Sequence, residues 1–478
     1  MGVPAGPGGG LMRPILPQIC AMVCGQRLPS RVMSAQKLKP LGRHRPALIG
    51  VVAAVVLGAL FFSAFTAITD SGGGNGRLER VAYFADWNTA NRGYLIKDVD
   101  ESGAAEHLTR VIWAFGYVDD EGRCSIPEDT DQPWELYQRR YEAEESLNGK
   151  ADSYDQPLAG SLNQLLMLKE KYPDLRVSLS LGGWNWSTYF SEAVKDEKSR
   201  REFVSSCVDL WLRGDLPVLG KEPQGGEGAA AGAFDGIDLD WEWPVSGGKE
   251  GNTESPDDRR NLTLAVKEFR RQMDDLEAET GRRYDLSVSL ANGTDQLTTS
   301  YEPEMFESID FATVQGYDFT GAWSDVTDHH SQLYAPKGAP NDASTDSTVR
   351  RYLDYGLPAK KLVLGFPAFG RGWTGVSPEN FGRYAPADSG AEGTYGEAVD
   401  PYGELKYRSG RRFHDPINGA YWLYDGNEWW TFDTPEIVRM KGAYVREMNL
   451  GGLMMWNLDM DPEADLVTAM DESLEQGE

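Results

Sequence analysis

The stretch AFDGIDLDWEWP, residues 233–244, combines the apolar alternation of a buried β-strand with four acidic side chains. Side chains alternate between the two faces of a strand, so Asp238, Asp240 and Glu242 share one face and the intervening apolar residues share the other. Desolvation and mutual repulsion oppose the ionisation of such a row, and carboxyls this close share protons, as a catalytic acid and base do. Asp235 has the opposite parity, so we expect it to be structural, tied to the strand or to a neighbour.

A solvent-facing acidic edge is the alternative interpretation of this stretch. The flanking aromatic residues Phe234, Trp241 and Trp243 argue against it, because they are typical of a buried strand. We therefore expect the carboxyl row to point into the interior of the fold.

Short β-rich runs recur along the chain and alternate with amphipathic stretches such as residues 159–173, 199–213 and 260–280. Strands that alternate with helices pair in parallel, and eight such units predict an α/β fold, a closed (β/α)8 TIM barrel. A doubly wound open sheet is the main rival, but no Gly-rich dinucleotide turn follows an early strand. The predicted strands are 80–85, 110–116, 176–183, 236–241, 285–291, 311–317, 361–367 and 451–456.

One interval is too long for a simple strand–helix unit. From about Trp373 to Asp433 the chain is rich in Gly, Tyr and Trp and shows little helical period. It predicts a small insertion subdomain of short strands after the seventh barrel strand, at about residues 374–433. Trp422, Trp429 and Trp430 are expected mostly in its core, whereas the adjacent His329 and His330 are expected to form a solvated pair in a polar loop.

Charge and the N-terminus bear on partners and location. The chain holds 47 basic and 74 acidic residues, a net charge of −27, which disfavours nucleic acid and anionic lipid but not a neutral polymer. We expect residues 1–46 to form a basic leader, 47–69 a signal h-region or a signal-anchor helix, and 70–77 a Gly-rich linker before the barrel, 78–478. Export follows under either interpretation, so we expect an extracellular protein that is secreted or tethered, with membrane contact only through this segment.

Cysteine and histidine usage gives weaker information. Cys124 and Cys207 lie in the exported part and could pair, which their positions alone leave open. With five histidines and no HExxH motif, no metal or other cofactor is expected.

Several motifs together resemble glycoside hydrolase family 18, the chitinases and their relatives. Residues 235–242 match its D-x-x-D-x-D-x-E signature, and SLGG at 180–183, followed by Trp184, matches its third-strand motif. QGYDFTG, GFPAFGRGW and GGLMMWNLDMD resemble the motifs of strands six, seven and eight, so the likeness covers most of residues 80–461. The insertion also looks like the α+β subdomain of the deep-cleft chitinases.

The resemblance implies a retaining mechanism in which the substrate supplies its own nucleophile. Glu242 would protonate the glycosidic oxygen, and the 2-acetamido carbonyl would attack the anomeric carbon to give an oxazolinium ion. Asp240 would orient the acetamido N–H, with Asp238 beneath it sharing a proton, and Tyr317 would donate its hydroxyl to the acetamido oxygen.

Other positions are implied to bind substrate or to shape the site. Trp456 would form the floor under the sugar, while Gln315 and Phe369 depart from the Met and Tyr that are usual in the family. The implied substrate-binding residues are Asp318, Trp456, Trp184, Arg371, Gln315, Tyr83 and Phe115. The residues implied to be structural at the site are Asp235, Ser180, Gly182 and Gly183.

The leading hypothesis is a monomeric chitinase that acts on chitin or N-acetylglucosamine oligosaccharides. An endo-β-N-acetylglucosaminidase acting on glycan or cell-wall substrates would carry the same four acids, although the Trp-Glu-Trp-Pro ending resembles chitinases more. A non-hydrolytic chitin-binding lectin of the same fold would usually lack Glu242 or its Asp neighbour, and both are present here.

Overall fold

The computed structural model describes residues 77–128 and 130–475. The predicted leader at 1–46, the apolar segment at 47–69 and the linker up to residue 76 lie outside the described residues. Within the two described ranges, no helix combines the length and the apolar character that a bilayer span requires.

The strands form one barrel sheet and one smaller sheet. In chain order they are β1 (Glu79–Ala85), β2 (Arg110–Val118), β3 (Cys124–Ser125), β4 (Arg176–Gly182), β5 (Gly236–Asp240), β6 (Asp285–Leu290), β7 (Phe311–Val314), β8 (Leu362–Pro367), β9 (Phe369–Thr374), β10 (Ser389–Gly390), β11 (Val399–Pro401), β12 (Arg411–Asp415), β13 (Ala420–Tyr424), β14 (Trp429–Phe432) and β15 (Gly452–Trp456).

The barrel closes through parallel pairs in the order β1-β15-β8-β7-β6-β5-β4-β2, with β2 pairing β1 again. These are the eight predicted strands, so the TIM-barrel prediction is confirmed. The main difference is at β7, which ends at Val314 rather than at residue 317. The chain leaves the sheet there, and Asp318 then adopts a left-handed conformation with φ 59°.

Helices surround the barrel and begin and end at recognisable signals. Asp196, Ser344 and Thr434 cap the N-termini of α7, α10 and α12 through their side chains, and Gly281 ends α8 in a left-handed conformation. The α-helices are α1 (Asn88–Arg92), α2 (Ile96–Glu101), α3 (Ala104–His107), α4 (Gly160–Lys171), α5 (Gly183–Trp186), α6 (Phe190–Val194), α7 (Glu197–Cys207), α8 (Asp258–Thr280), α9 (Thr294–Ser300), α10 (Thr345–Tyr355), α11 (Tyr402–Leu405), α12 (Pro435–Glu447) and α13 (Asp465–Glu475).

The apolar face of each barrel strand packs against the helices, as the parity of β5 predicts. Ile237 and Leu239 belong to the large core between strands and helices. Val81, Ile112 and Met454 fill the barrel interior instead. The polar side chains that share this interior are therefore held in an apolar, well-packed environment.

The second sheet is the predicted insertion. Strands β9 to β14 pair only antiparallel, in the order β10-β9-β14-β13-β12, with β11 also on β9. Trp422, Trp429 and Trp430 are buried, as expected for a subdomain core. Only one residue separates β8 from β9, so this sheet begins directly at the end of a barrel strand.

A disulfide joins Cys124 to Cys207, which resolves the pairing that the sequence left open. It ties the short strand β3 to the C-terminal end of α7 across 83 residues of chain.

Candidate active site

Asp238 lies at the bottom of the carboxyl row on β5 and is fully buried. Its carboxylate accepts hydrogen bonds from the hydroxyls of Tyr83 (3.1 Å), Ser180 (2.7 Å) and Ser287 (2.6 Å). Burial raises the pKa of Asp238, while the three hydroxyl donors oppose that rise. The carboxylate is thus held in one orientation by donors on three other barrel strands.

Asp240 lies next along the row and is only 3% exposed. Its Oδ1 atom is buried without a hydrogen-bond partner among the described residues. Burial and the negative charge of Asp238 raise the pKa of Asp240 to about 8. At neutral pH the Asp240 carboxyl is therefore mostly protonated.

Glu242 follows β5 by two residues and is partly exposed at the carboxyl end of the barrel. Its backbone is fixed on both sides: its N–H donates to Ser187 Oγ at 2.9 Å and its carbonyl accepts from Asn252 Nδ2 at 3.0 Å. Burial, with the charges of Asp240 and Asp318, raises the pKa of Glu242 well above 4.5. A partly exposed carboxyl whose pKa is raised keeps its proton to higher pH than an ordinary glutamate, as a general acid requires.

Tyr317 and Asp318 lie beside the row, just beyond the end of β7. Burial and the nearby carboxylates raise the pKa of the Tyr317 phenol well above 10, so the hydroxyl remains a donor. Arg371 grips Asp318 with two hydrogen bonds, Nε to Oδ1 at 2.9 Å and the second guanidinium nitrogen to Oδ2 at 2.7 Å. Burial alone would raise the pKa of Asp318, but the charge of Arg371 and the neighbouring His330 outweigh it and hold that pKa below its usual range.

Three aromatic rings cluster around Trp456, the last residue of β15. The Trp456 ring stacks on Phe115 with centroids 5.8 Å apart and also contacts Tyr83 at 5.0 Å. Trp87, which is 39% exposed, stacks on Phe115 with centroids 5.8 Å apart and also lies 6.4 Å from the Trp456 ring. Such rings offer flat apolar faces to a ligand with C–H surfaces.

Two glycines allow this aromatic cluster to approach the carboxyl row. Gly182 and Gly183 both have positive φ, 103° and 67°. A Cβ on Gly182 would lie 2.7 Å from the Asp240 carbonyl oxygen, and one on Gly183 would lie 2.5 Å from Phe115 Cζ. These positions therefore need glycine for space as well as for conformation.

The remaining predicted residues are Trp184, Gln315 and Asp235, and each has a different environment. Trp184 is half-buried on α5, directly after β4. Gln315 is half-buried, and its N–H donates to the Leu290 carbonyl at 3.0 Å. Asp235 lies at the opposite end of β5 and accepts from Val177 N at 2.9 Å. It also pairs with Lys169 at 2.8 Å and Arg282 at 3.0 Å, which is the contact set of a structural residue.

The prediction that His329 and His330 form a solvated pair is wrong, because they are only 1% and 0% exposed. The insertion covers them: His329 Nδ1 lies 3.1 Å from Thr431 Oγ1 on β14. Sequence reasoning also missed Ser287 and Ser289, although DLSVSL places both on the alternating positions that face the barrel interior. In residues 77–128 and 130–475, no cluster of three or more His, Cys, Asp or Glu side chains suits a metal ion.

Comparison with known proteins gives a consistent family. The model of the family described as glycosyl hydrolases family 18 matches residues 79–461. Chitinase C of Streptomyces lividans is 34% identical over 406 residues, which is 82% of this chain and 60% of that protein. Chitinase 63 of Streptomyces plicatus is 33% identical, over 85% of this chain and 63% of that protein. The chain thus spans somewhat less than two thirds of the length of these curated relatives.

Among solved structures, the catalytic domain of the psychrophilic chitinase B from Arthrobacter TAD20 is 39% identical, with a TM-score of 0.79. The likeness covers 84% of this chain and 95% of that domain. Because the family model extends from the first barrel strand to a point just beyond the last, and a solved member shares the fold, the chain belongs to glycosyl hydrolases family 18.

Proposed function

We propose that the chain is a chitinase that hydrolyses β-1,4-linked N-acetylglucosamine polymers with retention of configuration at the anomeric carbon. The observation that carries the proposal is the arrangement of the row: Asp238 and Asp240 are buried on β5, and Glu242 follows them, partly exposed, at the carboxyl end of the barrel with its pKa raised well above 4.5. An ordinary retaining glycosidase uses its second carboxylate as the nucleophile. A buried, protonated Asp240 is poorly suited to that role, which supports a nucleophile supplied by the substrate.

The first step is cleavage of the glycosidic bond. Glu242 gives its proton to the leaving-group oxygen while the bond from that oxygen to the anomeric carbon breaks. The acetamido oxygen of the same sugar forms the new bond to that carbon, which yields a cyclic oxazolinium ion. The Tyr317 hydroxyl donates to the acetamido oxygen and so holds it in line for attack.

The positive charge of the intermediate is balanced by the lower carboxyls. As charge develops on the acetamido nitrogen, the proton shared by Asp238 and Asp240 moves down to Asp238, and Asp240 becomes the anion that accepts the N–H. The three hydroxyls around Asp238 can rotate to serve either protonation state.

Hydrolysis completes the cycle. Glu242, now ionised, takes a proton from water, and the resulting hydroxide attacks the anomeric carbon from the face that the leaving group left. The bond to the acetamido oxygen breaks, the ring opens, and the product keeps the original β configuration. Trp456 and Phe115 would support the sugar ring from below during both steps.

Location and assembly are part of the same proposal. The Cys124–Cys207 disulfide supports an oxidising compartment, in agreement with an exported, extracellular enzyme, secreted or tethered. We take the working unit to be a monomer.

The experiment that tests the proposal compares the wild-type protein with Glu242→Gln on chitohexaose, with products resolved by length and by ¹H NMR of the anomeric proton. The wild type should release shorter oligomers whose new reducing ends are first β. Glu242→Gln should keep its fold and its binding of the hexamer while hydrolysis falls by roughly 10²–10⁴-fold, the contribution of general acid catalysis.

Three results would contradict parts of the proposal. Initial α-anomers would exclude retention. An intact hexamer that nonetheless binds would indicate a lectin. An intact hexamer together with cleavage of the N-acetylglucosamine core of a glycoprotein, supplied as a second substrate, would indicate the endo-β-N-acetylglucosaminidase.

A further inference from the structure

A run of six consecutive polar residues, 327–332, is completely buried between the barrel and the insertion. Buried polar groups cost free energy unless they are hydrogen-bonded, so each needs a partner. Five of the six side chains have one outside the run. The partners are Gly382 O for Thr327, Asn341 for Asp328, Thr431 for His329, Asp433 for Ser331 and Ala343 O for Gln332.

His330 is the exception. It is 0% exposed, and neither ring nitrogen has a hydrogen-bond partner among the described residues. Its Nδ1 faces Asp318 Oδ1 at 3.5 Å, beyond the usual 2.7–3.2 Å of an N–H···O bond. Its ring packs on Phe369 with centroids 5.3 Å apart, and its carbonyl accepts a hydrogen bond from Phe319 N.

Among the charged groups around His330, Asp318 is the one to which the ring can donate a hydrogen bond. Asp433 is already bound by Lys441 and Ser331, while Arg371 lies beyond Asp318 and His329 points to β14. Burial lowers the pKa of His330, so the ring is neutral at neutral pH and can donate through one nitrogen.

Asp318 in turn acts on the catalytic row. Arg371 holds both of its oxygens from one side, and its negative charge is one of the causes that raise the pKa of Glu242. Any group that fixes or partly neutralises Asp318 therefore changes the proton affinity of the general acid.

We propose that His330 is a positioning residue that donates from Nδ1–H to Asp318 Oδ1 and closes the 3.5 Å gap when substrate occupies the site. Catalytic hydrogen bonds are often long in the empty site and shorten in the complex. The inference rests on the proposed function, and it assigns to this histidine the orientation of Asp318 and a share in setting the proton affinity of Glu242.

Three variants of the full chain test it with 4-nitrophenyl N,N′-diacetylchitobioside as substrate. His330→Leu removes the donor, His330→Asn keeps a donor near the position of Nδ1, and His329→Leu removes an equally buried neighbour that contacts the insertion. His330→Leu should lower kcat/KM by roughly 10-fold, the value of one hydrogen bond to a carboxylate. In its profile of kcat/KM against pH, the fall on the alkaline side (the alkaline limb) should move to higher pH. The reason is that Asp318, without this donor, opposes the ionisation of Glu242 more strongly.

His330→Asn should restore most of kcat/KM and the position of the limb, and His329→Leu should leave the limb unchanged. A structural role alone would affect the two leucine variants alike and would not be rescued by asparagine. Equal kcat/KM and equal limbs for the two leucine variants would overturn the inference.

A second readout does not need activity, so failure of the proposed function can be told apart from failure of this inference. In protein labelled with ¹⁵N-histidine, the His330 resonance, assigned with His330→Leu, should report a proton on Nδ1 and should shift in Asp318→Asn. A proton on Nε2 together with no response to Asp318→Asn would overturn the inference whether or not the wild type hydrolyses chitin.

Discussion

Replacing Asp240 with Asn should make the protein more stable while abolishing most of its activity. The Asp240 carboxyl is buried, with its pKa raised from 3.8 to about 8, because the native state disfavours its charge. An amide of the same shape carries no charge to disfavour. The substitution would thus raise stability at the cost of activity, as expected where function requires a group that destabilises the native state.

The size of the effect follows from proton linkage. Below pH 4 the carboxyl is protonated in both native and unfolded chains and contributes no difference. As pH rises from about 4 to about 8, the unfolded state loses the proton and the native state retains it, so native stability falls across that window. At pH 7 the window covers about three pH units, which at 1.36 kcal/mol each makes the carboxyl destabilising by about 4 kcal/mol.

The assay is thermal unfolding of wild type and Asp240→Asn between pH 4 and pH 9, with chitohexaose hydrolysis measured in parallel. The variant should unfold at the same temperature as the wild type near pH 4 and at a higher one at pH 8. Asp235→Asn is the matched control on the same strand, and it should unfold at a lower temperature because it weakens the contacts to Lys169 and Arg282. An Asp240→Asn variant that gains nothing at pH 8, or gains as much at pH 4, would refute the reasoning.

Three other outcomes are expected. Replacing both Cys124 and Cys207 with Ser should lower the free energy of unfolding by about 4–5 kcal/mol in urea titrations, because the bond closes a loop of 83 residues. Ser287→Ala removes the shortest of the three hydrogen bonds to Asp238, and kcat/KM should fall by at least about 10-fold in steady-state assays; an unchanged value would show that two donors suffice. Because Glu242 must be protonated to act and its pKa is raised well above 4.5, kcat/KM should not fall until the pH is well above that of an ordinary glutamate; loss of activity just above pH 5 would contradict this.

The strand periodicity made the barrel predictable. All eight strands and the insertion follow from alternation, helix-like intervals and one stretch without helical period. The end of β7 did not follow, because no Pro or charged residue interrupts the chain between Val314 and Tyr317, and the strand nevertheless ends at Val314, shortly before the left-handed Asp318. Backbone conformation of that kind depends on tertiary contacts that a local pattern does not encode.

The candidate site, like the fold, could be predicted only in part from the sequence. Asp238, Asp240 and Glu242 were found by parity alone, and the structure places them in one row, while their catalytic roles stay predictions. The burial of His330 could not be foreseen, because it depends on a sheet that is added about 40 residues later in the chain. A polar segment is exposed to solvent only when no other part of the fold covers it.

The way in which the insertion joins the barrel limits how such enzymes can be re-engineered. Its first and last strands pair directly, Gly370 opposite Phe432, so a designer could excise everything between them and close the chain with a short turn. The excised piece would include Arg371, which holds Asp318, and would expose the buried polar run 327–332. The insertion and residues 327–332 therefore form one structural unit, and exchange of the insertion between homologues should succeed only when residues 327–332 are transplanted with it.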